Sequence, residues 1–400
     1  QVQADPVDVY KLIEEDLLYA CDILPYAKDD TYRSSNNYRF SKGAALGLLA
    51  KVYATWAGYP IQDTSKWEAA AKTARILVES GKHDLLNDYE QLWKNTCNGI
   101  WDPTESLIEI SFYSPTYSGN SDPVGRIGKW NGVKTTVDAG RSGSTAANVQ
   151  VVHSFVLDWR EEAKPDETTG ISPDRRQNLS IANYKHGHND SKTGAVYLDD
   201  YYLAASIPND NAATALSKDL DPEKSQKAKQ TYTPAKWDID KYMESIPFIN
   251  NDKSTVNWYV LRYADVLLLY AEALNEWKGG PTTEAYAAIN KVRKRGYTKA
   301  DGTINKDYSL KKGLDQTAFR EAVHKERAYE LAFEGHRRLD LVRWGVYYET
   351  VQNTYNALKN WWSSANYVVY DYTEKGKHEL MPIPQREMDL CTQFEQNPGW

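Results

Sequence analysis

The chain has 400 residues, 41% hydrophobic and 26% charged, a globular composition long enough for two to three domains of roughly 150 residues each. Lys+Arg 48 against Asp+Glu 55 leaves a formal charge of −7, so no basic excess is available for a polyanion and nucleic-acid binding is disfavoured. No run reaches about 18 uncharged apolar residues; the most apolar stretch, Ala44 to Ile61, contains Lys51 and Pro60.

In chain order, Val9, Leu12, Ile13, Leu17, Ala20 and Leu24 recur at three- and four-residue spacing and predict a helix that Pro25 stops. A second helix is expected from about Lys42 to Ala57, closed by Gly58-Tyr59-Pro60. Ser65-Lys66-Trp67-Glu68 has the form of a capping box opening a third helix, which Gly81 ends. Between Cys97 and Tyr259 the helical period mostly fades. Leu107 to Phe112 alternates as a strand does, and Asn148 to Trp159 predicts one helix. Gly, Pro, Asn, Asp and Ser punctuate the rest, which also carries Tyr and Trp. Val260 to Glu276 and Glu284 to Arg295 then predict two helices about Gly279-Gly280-Pro281, an Ala-rich pair of the tetratricopeptide-like kind. The expected fold is mostly α. A tetratricopeptide-like helix-pair scaffold, residues 1–96 and 260–400, carries a long irregular, loop-rich insertion with short strands, residues 97–259, all as one unit.

Asp5, Asp8, Glu14, Glu15 and Asp16 are foreign to a signal peptide, so the chain is expected either to be intracellular or to lack its targeting segment. Cys21, Cys97 and Cys391 are odd in number and far apart, suggesting neither a zinc site nor a disulfide framework. No GxSxG elbow, Walker loop, HExxH or GxGxxG occurs. His186-Gly187-His188 with Asp190 makes only a weak metal pair, and no metal or cofactor is expected. Glu326, Glu330 and Glu334 lie four apart on one helix face, with Arg337 and Arg338 one turn beyond. An enzyme would use Glu330 or Glu334 as a general acid; the favoured reading is an ion-pair lattice that locks helices together.

The run from Glu326 to Trp344 resembles the signature helix of the RagB/SusD family, as does Val260 to Glu276. Leu380-Met381-Pro382-Ile383-Pro384 and Gln396-Asn397-Pro398-Gly399 resemble that family's closing motif. Weaker echoes are Arg39 to Ala45, Leu107 to Phe112, Ser172 to Arg176 and Lys241-Tyr242, all in the family's order. The resemblance implies a surface-exposed outer-membrane lipoprotein of Bacteroidetes. Such a protein sits over a SusC-like TonB-dependent transporter and binds a nutrient, usually a glycan, without cleaving it. It also implies an N-terminally shortened member whose lipid anchor is not present in this chain.

Such a role suits the ring types: Trp 13 and Tyr 29 outnumber Phe 7, and rings with a polar handle stack on the C–H face of a sugar while Asn, Asp and Arg meet its hydroxyls. From composition, the expected ligand residues are Tyr117, Arg126, Trp130 and Asn131 in one loop, with Tyr184 and Trp237 from later loops. Trp361-Trp362 with Tyr367 is the second choice. Competing functions are uptake of peptides or another nutrient, glycoside hydrolysis on a helical toroid, and pure scaffolding.

Overall fold

The computed structural model describes residues 3–31, 38–112, 125–135, 143–166, 171–182, 184, 186, 232–244, 251–305, 308–361 and 368–400. Tyr117, Trp362 and Tyr367, and the side chain of Trp361, lie outside this description.

Helix α1 (Pro6–Ile23) opens at Asp5, whose Oδ1 accepts the Val7 N–H at 2.7 Å while Pro6 presets the first turn. Ser41 caps α2 (Lys42–Trp56) by accepting from the Ala44 N–H. Helix α3 (Lys66–Glu79) corrects the expected capping box: Ser65 already has helical dihedrals, and its hydroxyl donates to Asp63 instead of accepting from the helix. A further helix, α4 (Tyr89–Cys97), is capped by Asp88, whose carboxylate accepts from the Glu90 N–H.

The insertion contributes strand β1 (Ser106–Ile110), helix α5 (His153–Glu162), helix α6 (Arg175–Ser180), the two-residue strands β2 (Ile181–Ala182) and β3 (Thr233–Pro234), and the single turn α7 (Ile239–Tyr242). Strand β4 (Trp258–Arg262) runs antiparallel to β1, with Ser106 opposite Arg262 and Ile110 opposite Trp258, and β2 pairs with β3. Val260, Leu261 and Arg262, expected in a helix, therefore complete a strand, because β1 takes up their backbone groups. Helix α8 starts only at Tyr263 (Tyr263–Lys278). Helices α9 (Thr283–Gly296), α10 (Gln316–Glu330), α11 (Arg337–Arg343), α12 (Tyr347–Trp361), α13 (Val368–Asp371) and α14 (Gln385–Leu390) finish the chain.

Helix α8 is buried from Tyr263 to Asn275, its polar residues Asp265 and Glu272 included, each of which is ion-paired inside. Around it pack Leu49 of α2, Ala74 and Leu77 of α3, Ile289 and Val292 of α9, and Phe319 and Val323 of α10, each at most 1% exposed. Ala54, Ala74, Ala264, Ala271 and Ala285 show no exposure; their small side chains let the helix pairs approach closely. Gly47 seats α2 on the β1–β4 ribbon, since a Cβ there would lie 3.0 Å from Leu107 Cδ1 and Leu261 Cδ2. A second core, of Tyr89, Leu92, Trp93, Trp237, Ile239, Tyr242, Val256 and Tyr259, lies under the insertion. Among the described residues, no helix is long and apolar enough to cross a membrane.

Candidate functional site

The carboxylate ladder of α10 is sealed inside the protein. Glu326 Oε1 accepts from Arg176 Nη1 at 2.5 Å, and its Oε2 from Arg293 at 2.9 Å. Glu330 meets Arg295 at 2.5 Å, Arg262 at 3.0 Å and Arg176 at 3.1 Å. Glu334, in the turn after α10, is gripped by two nitrogens of Arg262 at 2.8 Å and by Lys236 at 2.7 Å. Glu105 ties Arg262 to Arg295. A second set links Lys51, Asp265, Arg327, Asp340, Arg343 and Glu272 between α2, α8, α10 and α11.

Burial pushes the Glu330 carboxyl up, but Arg295, Arg262, Arg176 and Lys236 outweigh it and hold the group down at about 2. A carboxylate that is 0% exposed and ionised at neutral pH has neither access nor a proton to give. Glu330 and Glu334 are structural, as the lattice reading expected. Their partners differ from the sequence neighbours: Arg337 donates to the His324 carbonyl and Arg338 to the His378 carbonyl. The arginines that count come from α6, β4 and α9, far away in sequence.

The candidate binding surface is built on the second core. Gly128 and Gly132 press the 125–132 loop against it: a Cβ on Gly128 would meet Ile239 at 2.6 Å, and one on Gly132 would meet the Gly128 and Trp237 carbonyl oxygens at 2.2 and 2.7 Å. Ser254 fastens the loop from the other side, its N–H donating to Gly125 O at 2.7 Å and its hydroxyl to Ile127 O at 2.5 Å. Lys129 turns inward, 1% exposed, and donates to the carbonyls of Gly143 and Ser144; burial lowers its ammonium to about 8 against the pull of Asp240. Asn131 Oδ1 accepts the Gly128 N–H at 2.8 Å and tightens the turn.

This frame pushes Trp130 outward, where its residue remains 42% exposed. The indole is held in place, since Nε1 donates to Asp252 Oδ1 at 2.7 Å. Asp252 Oδ2 lies 3.1 Å from the Arg126 guanidinium, whose carbon stands 4.5 Å from the centroid of the Trp130 ring. The result is a tile at the surface: an indole with a guanidinium over one ring face and a carboxylate acceptor at its N–H edge. Such a tile has what a sugar requires, and its rotamers are fixed before a ligand arrives.

Of the six expected ligand residues, Arg126, Trp130 and Asn131 share this loop. Tyr184 is half-buried; its hydroxyl donates to Asp238 Oδ2 at 2.8 Å, and its ring packs on the cluster of Val133, Ala182 and Ala235. Trp237 requires correction. It is 1% exposed, stacked on Trp258 at 5.1 Å and edge-on to Trp93 at 5.9 Å, so its ring has no face to offer. Its contribution is support, through the backbone carbonyl beneath Gly132. Asp252, which sequence reasoning missed, lies more than a hundred residues from Trp130 and carried no local signal. His186 is buried, its Nε2 2.7 Å from Asp238 Oδ1; His188 and Asp190 lie outside the described residues. Among the described residues no group of three His, Cys, Asp or Glu side chains is placed to hold a metal.

Residues 104–400 match the model of the SusD family. The chain is 25% identical over 392 residues to a SusD-like protein of Formosa agariphila, covering 97% of this chain but 63% of that one. It therefore spans under two thirds of that relative's length. It is also similar, at 67% identity and a TM-score of 0.87, to the crystal structure of a SusD homolog from Bacteroides thetaiotaomicron VPI-5482, over all of this chain and 71% of that one. A laminarin-binding SusD-like protein superposes with a TM-score of 0.61 at 26% identity, over all of this chain and 70% of its own.

Proposed function

Because this chain belongs to the SusD family, we propose that it binds a glycan without cleaving it, at the outer surface of the cell, and delivers it to a SusC-like TonB-dependent transporter. Attachment to the outer membrane would come from a lipid anchor. The observation that carries the reading is the Trp130 tile, a partly exposed indole anchored through its N–H next to a guanidinium and a carboxylate. A relative of similar fold that binds laminarin supports a glycan as cargo. Each stacked ring contributes on the order of 1 kcal/mol beyond its burial. Affinity for a single site is therefore modest, which suits a protein that must release what it captures.

Isothermal calorimetry of the whole chain against panels of glycans and peptides tests this. A glycan binds, and Trp130→Ala weakens it roughly tenfold, about 1.4 kcal/mol, while the thermal midpoint stays put because the ring is not part of a core. Incubation with the bound polysaccharide releases no reducing ends. Binding of peptides alone, or steady turnover of a polysaccharide, would refute the reading.

A further inference from the structure

The charges of the Trp130 tile go further than the proposed function and rest on it. We propose that Asp252 selects uncharged glycans, making this residue a determinant of specificity. Its carboxylate does two jobs at once: Oδ1 holds the indole N–H at 2.7 Å and Oδ2 holds the Arg126 guanidinium at 3.1 Å. The side chains of Arg126 and Asp252 are 51% and 46% exposed, so both stand where a ligand would lie. The guanidinium is parked over the ring, 4.5 Å from its centroid.

An arginine next to an exposed indole would ordinarily attract a uronate or sulfate, because its planar fork matches such an anion. Here one nitrogen of that fork already lies 3.1 Å from a carboxylate, which offsets its charge. An incoming anion would have to displace Asp252 or sit beside it, and like charge at that distance is repulsive. An uncharged sugar meets no such conflict. Its C–H face takes the indole, its hydroxyls accept from the guanidinium N–H groups Asp252 leaves available, and one hydroxyl can donate to the carboxylate. Neutrality of the pair is thus a filter by repulsion as well as a match.

The test is calorimetry of the whole chain with laminarin, amylose and galactomannan as neutral probes and alginate and polygalacturonate as acidic ones, at two salt concentrations. A neutral polysaccharide is expected to bind at least tenfold more tightly than either acidic one, with little dependence on salt. Asp252→Asn keeps an acceptor for the indole and unmasks the arginine: acidic polysaccharides should gain at least fivefold, and salt should abolish the gain. Adding Arg126→Gln to that variant should remove the gain again, and unchanged thermal midpoints show that both variants fold. Equal or tighter binding of alginate or polygalacturonate by the unaltered chain would overturn the inference while leaving glycan binding intact, as would an unchanged acidic-to-neutral ratio in Asp252→Asn. Failure of every polysaccharide to bind would instead bring down the proposed function, and this inference with it.

Discussion

Glu109 is 6% exposed and, among the described residues, its carboxylate accepts from neutral donors, Ser106 Oγ at 2.7 Å and Asn257 Nδ2 at 2.8 Å. Burial raises its carboxyl from 4.5 to about 7 in spite of those hydrogen bonds, with Asp102 adding to the rise. The folded protein therefore holds this proton at pH values where the unfolded chain has released it. Its contribution to stability is complete below about 4.5 and is lost as pH rises through 7, by an amount on the order of 3 kcal/mol. Glu109→Gln should flatten this part of the profile, so that thermal midpoints measured from pH 5 to 8 fall less in the variant than in the unaltered chain. A parallel fall in both would show that the carboxyl does not titrate there. At this same scale lies the limit of reading side chains from composition. Trp130 and Trp237 are chemically identical, and nothing in their immediate neighbours says that one faces solvent and the other Trp93. That difference is set by which backbone lies over them, and the backbone is placed by Gly128, Gly132 and Ser254.

Helices with a strong apolar period were legible because burial and periodicity state the same fact twice. Helices α2, α8 and α9 carry apolar stripes that do pack in the core. Ends were less legible. Ser65 has the sequence of a cap but bonds Asp63, a local competitor of equal strength. Val260 to Arg262 are apolar enough for a helix but are claimed by β1, a partner about 150 residues earlier. Helix α4 shows a weaker apolar period, because its buried face includes Asn95 and Thr96. The 125–132 loop offers a prediction at this scale. A Cβ at Gly132 would lie 2.2 Å from one carbonyl oxygen and 2.7 Å from another, and backbone cannot swing aside. Gly132→Ala should shift the loop and lower glycan affinity about tenfold, with helical content by circular dichroism unchanged. Gly81→Ala is the control. There φ is +65 and no atom lies within 4 Å, so the change should cost about 1 kcal/mol of stability from backbone strain and leave affinity alone.

Over the whole molecule, the buried charges join parts that the sequence separates. Glu105, Arg176 and Lys236 lie between residues 105 and 236, whereas Arg262, Arg293, Arg295, Glu326, Glu330 and Glu334 come from residue 262 onward. The spacing of the glutamates was readable in the sequence; their partners were not, because pairing across 150 residues leaves no local pattern. Glu330→Gln takes one shared carboxylate from Arg176, Arg262 and Arg295, which keep Asp174, Glu326, Glu105 and Glu334 as partners, a loss of about 3 kcal/mol, the low end for a broken buried pair. Urea unfolding should show it as an earlier midpoint for insertion and scaffold together; a separate early transition of one part would argue against a shared lattice. Acid should act the same way. The Glu330 carboxyl is held below its usual range, so the stability it supplies is present above about 4.5 and disappears as pH falls toward 2. The lattice also has a bearing on descent. Any first exchange within it leaves an orphaned ion in a dry interior, a large part of the roughly 5–15 kcal/mol that keeps a typical domain folded. Reverting or replacing the set thus demands several simultaneous changes, a path that drift rarely finds. An exposed side chain such as Trp130 faces no comparable barrier, since its replacement leaves no ion stranded in the interior.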